Sequence, residues 1–424
     1  MLPLVQPVAH PAPLHATLDE WIARETIPFA SPAAFHQAVG RMLATLGDSV
    51  QLLGFGEALH GEDNILALRN RLFERLVEAH GFSAIALESS FPKAHAVNEY
   101  ISGHGPTPYE TGFSHGFGRL EANRELVKWM RRYNADASHP VKLRFYGFDS
   151  TTEMSGCDSP HQVLRFVLEY FASIDGAAAG KPRRDRIESL LGDHRVWENS
   201  EAMADPMKSV GLSPAAIVLR IEIEDLVTEL KTRRPELVAQ GGEDRHAEAM
   251  QYASAARWLL NYHAELARES GERLVGLLSI RDAWMADNLA YAVSCERGRG
   301  KVFAFSHNSH LQRGKAQWQM GPTLCAWWPA GAHLTQMLGA GYAAIGSAVG
   351  ISETHGIGPP EPGTLESLLT AAPGPARFIP THQGQGLPPA EIAALRSRPG
   401  SRRNPTYFAL TPQSLTDFDW LAVV

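Results

Sequence analysis

Four apolar runs in this 424-residue sequence each stop at a side chain that gains or loses a proton. Residues 50–55 (VQLLGF) lead into Gly56-Glu57-Ala58-Leu59-His60-Gly61, and 82–87 (FSAIAL) into Glu88. Residues 143–148 (LRFYGF) lead into Asp149, and 302–305 (VFAF) into Ser306-His307-Asn308-Ser309-His310. An imidazole held through one nitrogen by a carboxylate presents the other as a general base near neutral pH. Glu57, three residues before His60 in a glycine-bounded turn, is placed to be that carboxylate. The competing reading of His60 is a structural cap on the next helix. His307 and His310, three apart, can converge on one water, ligand or metal, or polarise a carbonyl oxygen in a transition state. Glu88 and Asp149 read either as ligand-site carboxylates or as acceptors for a helix N-terminus.

Arg69 belongs with these residues for a different reason. On a helix expected over 62–80, Ile65, Leu66, Leu68, Leu72, Phe73, Leu76 and Val77 make one apolar stripe. Arg69 falls near the centre of that stripe, whereas Arg71, Glu74 and Arg75 fall on or near the opposite side. A charge facing the core is costly unless paired. Glu57 and Glu88 are the expected partners. The alternative is an arginine that snorkels past the core edge.

Two motifs are discounted. Gly112-Phe113-Ser114-His115-Gly116 fits the G-x-S-x-G nucleophile elbow, but that turn needs a buried strand before the serine. Residues 106–111 (PTPYET) are loop chemistry instead. No H-E-x-x-H zinc motif occurs. Glu57, His60, His307 and His310 would suit a divalent metal, and nothing in their spacing decides between a metal and a metal-free histidine and carboxylate site. The expected site is metal-free, with no cofactor.

The apolar runs read as buried strands. In open α/β sheets, ligands bind beyond the carboxyl ends of the strands, so four strands ending alike are expected to build one polar site. The strands alternate with helical patterns. The expected fold class is therefore α/β, with a central, mostly parallel sheet, helices on both faces and a helical insertion or lid. Residues 1–159 read as the first part of the α/β core, 160–278 as the helical insertion, and 279–424 as the second part of the core with a Pro/Gly-rich C-terminal segment. Within that last part, 406–410 and 418–423 read as edge strands.

Composition narrows the function classes. A net charge of −7 gives no basic footprint for nucleic acid. Cys157, Cys295 and Cys325 lie far apart and point to a reducing compartment without a disulfide framework. The first 17 residues lack a basic n-region and a sustained apolar stretch, and no run is long enough to span a bilayer. A soluble cytoplasmic protein acting on a small molecule is expected, without a nucleic-acid or membrane partner. No heptad pattern indicates an oligomer.

Several segments resemble the erythromycin esterase family, in the family's order. They are 54–69 (GFGEALHGEDNILALR), 81–88 (GFSAIALE), Asn98-Glu99-Tyr100-Ile101, 129–134 (WMRRYN), 146–149 (YGFD), 281–288 (RDAWMADN) and 306–311 (SHNSHL). The G-E-x-x-H-G and H-N-x-H turns are the specific ones. The resemblance implies a hydrolase that opens an ester or lactone with an activated water and no acyl-enzyme. In that frame His60 matches the general base, and Glu57, Arg69, Glu88, His307 and His310 match positions lining the site. A wider group with a Gly-Glu-x-His-type motif includes metal-dependent members. Macrolide hydrolysis, an antibiotic-resistance activity, is one candidate reaction on a hydrophobic ester or lactone. A tailoring enzyme of secondary metabolism, using the same site for cyclisation, acyl transfer or elimination, is a second reading. A metal-dependent hydrolase is a third, and a non-catalytic binder a fourth.

Overall fold

The computed structural model describes residues 17–153, 156–371, 376–401 and 403–424. Most of the N-terminal stretch read as lacking a signal peptide, residues 1–16, lies outside them. The fold is mixed α/β with a mostly parallel central sheet, as expected. Its strands are β1 (Ile27–Pro28), β2 (Leu52–Glu57), β3 (Phe82–Ser90), β4 (Arg144–Asp149), β5 (Lys301–His307), β6 (Tyr342–Ala348), β7 (Arg377–Pro380) and β8 (Trp420–Val423). Every residue of β2 and β3 is buried. That burial on both faces is why the two runs are continuously apolar and not alternating.

The chain divides into two compact units. The first holds the chain up to Phe82, Phe305–Gly314 and Leu338–Val424. Its strand order is β1-β7-β8-β6-β2. β6 runs parallel to β2 and β8, while β7 is antiparallel to β8 and β1. The helix Asp63–His80 follows β2. Its N-cap is Glu62, whose carboxylate accepts from Asn64 N at 2.8 Å and Ile65 N at 3.1 Å. Gly81, in the left-handed region at φ 73°, closes it.

The second unit holds Ser83–Ala304 and Lys315–Met337. Here β3 and β4 pair in parallel, Ala84 opposite Arg144 and Leu87 opposite Gly147. The helices expected between 160 and 278 are present, among them His161–Asp175, Pro214–Thr232 and Glu243–Leu266. They pack on a core of their own that includes Val167, Leu219, Leu226, Leu259 and Trp284. The helix Arg273–Glu296 follows. A hairpin, Ala316–Met320 against Thr323–Trp327, has no counterpart in the sequence reading. β5 is divided, with Lys301–Ala304 in the second unit and Phe305–His307 in the first.

Three expectations need correction. β3 does not stop at Glu88 but continues to Ser90, so Glu88 lies within the strand. Residues 406–410 form no strand. Their backbone groups bond instead to side chains and to the turn after β2, which removes them from any ladder. β8 is an interior strand, bonded on one side to β6 and on the other to β7. Among the described residues, no helix is long and apolar enough to cross a membrane.

Candidate functional site

In the first unit, β2 delivers Glu57 and the turn after it delivers His60. Glu57 Oε1 lies 2.7 Å from His60 Nδ1. A carboxylate only accepts, so Nδ1 carries the proton of that bond. Glu62, and not His60, caps the following helix. Gly61 makes the turn at φ 77°. Gly56 is required by a close approach, since a Cβ there would lie 2.9 Å from the Cα of Asn308. Asn308 earns that proximity by clamping β6. It donates to Ser347 O at 2.9 Å and accepts from Ser347 N at 3.1 Å.

β5 ends at His307, which is the N-cap of the short helix Asn308–Leu311. His307 Nδ1 accepts from Ser309 N at 3.1 Å. Its Nε2 faces the carbonyls of Ala58 at 3.2 Å and Thr406 at 3.1 Å. The His307 ring centroid is 5.2 Å from that of His60 and 6.5 Å from that of His310. His60 is the accessible one of the three, with its side chain 24% exposed, while His307 and His310 are buried.

Arg69 is almost fully buried on the helix Asp63–His80. Its guanidinium lies 4.9 Å from the centre of the Phe305 ring and donates to Asn70 Oδ1 at 2.7 and 3.0 Å. Burial pulls its pKa down to about 10, and the negative charge of Glu57 opposes the fall. It therefore remains a cation at neutral pH inside an apolar stripe. The charge of Glu57, an expected partner in the same unit, acts on it.

The second unit gathers Glu88, Asp149 and two residues that sequence reasoning did not place in the site, Arg281 and His115. Arg281, from the helix Arg273–Glu296, donates to Asp149 Oδ1 and Oδ2 at 2.8 Å each and to Glu88 Oε1 at 2.9 Å. His115 Nε2 lies 2.8 Å from Asp149 Oδ2, and Ser150 N donates to Asp149 Oδ1 at 2.7 Å. Burial alone would raise the Asp149 carboxyl. The Arg281 charge and the His115 hydrogen bond outweigh it and hold the group well below the usual carboxylate range. Burial likewise works against the Arg281 cation, yet Asp149 and Glu88 hold its pKa well above the ordinary value. The signal for Arg281 was its place at the head of RDAWMADN, and the signal for His115 was its place beside the discounted serine.

Ser114 is a buried strut. Its Oγ accepts from Ser90 N and its N–H donates to Ser89 Oγ, both at 2.9 Å. Those bonds tie the loop to the end of β3 and turn His115, at φ 56°, toward Asp149. Other motif residues also serve the frame. Asn98 exchanges two hydrogen bonds with the backbone of Phe145. Asn134 does the same with Leu143. Asn98 thus covers backbone groups within β4, and Asn134 those of the residue just before it. Among the described residues, no group of three or more His, Cys, Asp or Glu side chains converges as a metal site requires.

The mostly parallel sheet and the carboxylate-held histidine define an α/β protein with a candidate acid–base site, and comparison with known proteins gives its family. The erythromycin esterase family model matches residues 77–422, and the chain belongs to that family. It is 22% identical to the erythromycin esterase type II of Escherichia coli over 335 residues, covering 77% of this chain and 76% of the relative. A Bacillus cereus protein of known crystal structure superposes with a TM-score of 0.72 at 19% identity, covering 96% of both chains. A mutant of the erythromycin esterase EreC, in its open conformation, superposes with a TM-score of 0.65 at 20% identity, covering 94% of this chain and 97% of that one.

Proposed function

We propose that the protein hydrolyses a carboxylic ester or lactone with a water activated by His60. The observation that carries the proposal is the 2.7 Å bond from His60 Nδ1 to the buried Glu57, on the one histidine of its cluster that solvent reaches. His60 Nε2 takes a proton from water as the oxygen attacks the substrate carbonyl, and Glu57 stabilises the imidazolium that forms. The tetrahedral intermediate then collapses. The acyl–oxygen bond breaks, and the proton passes from His60 to the departing alkoxide. Arg69, a desolvated cation, and His310 are proposed to meet the developing oxyanion. Glu88, held by Arg281 in the second unit, is assigned no step in this scheme. Asp149 acts in this scheme as the anchor of Arg281 and not as a substrate contact.

The family supports a macrolactone as the first substrate to test. A screen of the purified protein against macrolides and simpler lactones, read by mass, should show a product heavier by one water. An isomeric product of unchanged mass would replace hydrolysis by a cyclisation or elimination. Activity that appears only with added divalent metal would replace the metal-free scheme.

A further inference from the structure

We propose that residues 404–410 form a strap that completes the His60 site, and that the strap locks His307 as a neutral strut protonated on Nε2. His307 is then a positioning residue and not a proton carrier. The inference starts from donors and acceptors. A backbone N–H can only donate, so the bond from Ser309 N requires a lone pair on His307 Nδ1. A carbonyl can only accept, so Ala58 O and Thr406 O require a proton on Nε2. Ser309 Oγ, 2.8 Å from Nδ1, donates in the same sense. The Ser309 N–H and the two carbonyls select the same tautomer, and a second proton on Nδ1 would face the Ser309 N–H.

Two of those contacts depend on the strap. Thr406 supplies one of the two carbonyls on Nε2. Phe408 N donates at 3.0 Å to Ala58 O, which is the other. The Phe408 ring lies 4.7 Å from the imidazole, edge to face. Ala58 directly follows Glu57, so strap, His307 and the Glu57–His60 turn are joined at one carbonyl. The strap is itself anchored. Asn404 Oδ1 accepts from Thr406 N, and Leu410 N donates to Glu366 Oε1 at 2.6 Å. Between them Tyr407 packs with Ala58, Leu59, Val349 and Ile357. The buried Arg398 donates to the Tyr407 hydroxyl and to the carbonyls of Val349, Gly350 and Gly358. Arg398 also pairs with Glu361 at 3.5 Å, so one buried guanidinium ties the Tyr407 hydroxyl, three carbonyls and a carboxylate into the base of the strap.

The importance of that position rests on the proposed hydrolase reading, but the first test does not. Histidine-selective ¹⁵N labelling of the full chain, with His307 assigned by its loss in His307→Gln, reports which ring nitrogen bears the proton at neutral pH. The expected pattern is Nε2–H alone, with that proton protected from solvent exchange. An Nδ1–H pattern or a mixture would overturn the proposal whatever the enzyme's substrate. Arg398→Met should slacken the strap and speed exchange of the His307 Nε2 proton at least about tenfold. Tyr407→Phe, which removes only the hydroxyl, is the variant to use if Arg398→Met does not fold. Unchanged exchange in the folded variant would remove the strap from the account. On an ester that the wild type turns over, His307→Gln retains a donor toward the two carbonyls and should keep kcat within about tenfold, whereas a proton carrier would lose about 10²–10⁴-fold.

Discussion

Each unit holds an imidazole on a buried carboxylate, Glu57–His60 at 2.7 Å in the first and Asp149–His115 at 2.8 Å in the second. The ingredients match and the surroundings differ. Asp149 also takes both arms of Arg281 and the Ser150 N–H, and these hold its pKa far down. Its histidine is 15% exposed on a left-handed backbone. The His60 side chain is 24% exposed and aims its basic nitrogen away from its carboxylate. Two donors of Arg281 meet the Asp149 charge, and the Glu57 charge acts on the buried Arg69. In the proposed scheme the more exposed of the two histidines, His60, is the one that exchanges a proton.

The comparison can be broken most directly by exchanging histidines for asparagine. His60→Asn should lower turnover by about 10²–10⁴-fold with the fold intact. His115→Asn should leave turnover nearly unchanged and lower stability instead, as read by kinetics beside circular dichroism. Equal kinetic losses in the two variants would erase the distinction.

Arg281→Leu tests the structural half. It leaves Asp149 buried beside a lost cation and should cost about 3–5 kcal/mol in urea unfolding. The double variant Arg281→Leu/Asp149→Leu should recover part of that loss. If it does not, the pair is not the unit of stability described here.

Acid sharpens the contrast in a third way. His263, in the second unit, donates from Nε2 to Asp158 O at 2.9 Å. Burial lowers its pKa to about 4, and the backbone bond only partly offsets this. Its folded value lies below its unfolded value, so the stability it contributes is full above about pH 6.5 and is lost as pH falls toward 4. The loss should reach roughly 3 kcal/mol. Hydrogen exchange at pH 7 and pH 5 should show the helices around His263 losing protection first, and His263→Gln should flatten the dependence. Earlier loss around β2 and β6 would contradict it.

Ser114→Ala is the mildest test. Ser90 N loses its acceptor, a cost of about 1–3 kcal/mol, and turnover should hold. A collapse in turnover would restore the nucleophile elbow set aside from the sequence.

Much of the fold was legible because its signals are local. The helix Asp63–His80 follows from one apolar stripe and a closing glycine, and the parallel strands follow from unbroken apolar runs. Edges were harder to read. Whether 418–423 lies at a margin or between two strands depends on neighbours distant in the chain, and periodicity carries no such information. The hairpin after β5 was missed for a related reason. Its first strand is only partly buried, so no apolar run announces it.

For the candidate site the division is sharper. Sequence alone determined that Glu57 and His60 share a turn and that Arg69 sits on a core-facing stripe, because both are consequences of spacing within one element. Only the tertiary structure decided what each group does with its protons. The tautomer proposed for His307 rests on carbonyls 249 and 99 residues away, and the pairing of Asp149 on an arginine 132 residues away. Donor and acceptor assignments are made in space, after folding has chosen the neighbours, and the roles proposed for the histidines rest on that choice.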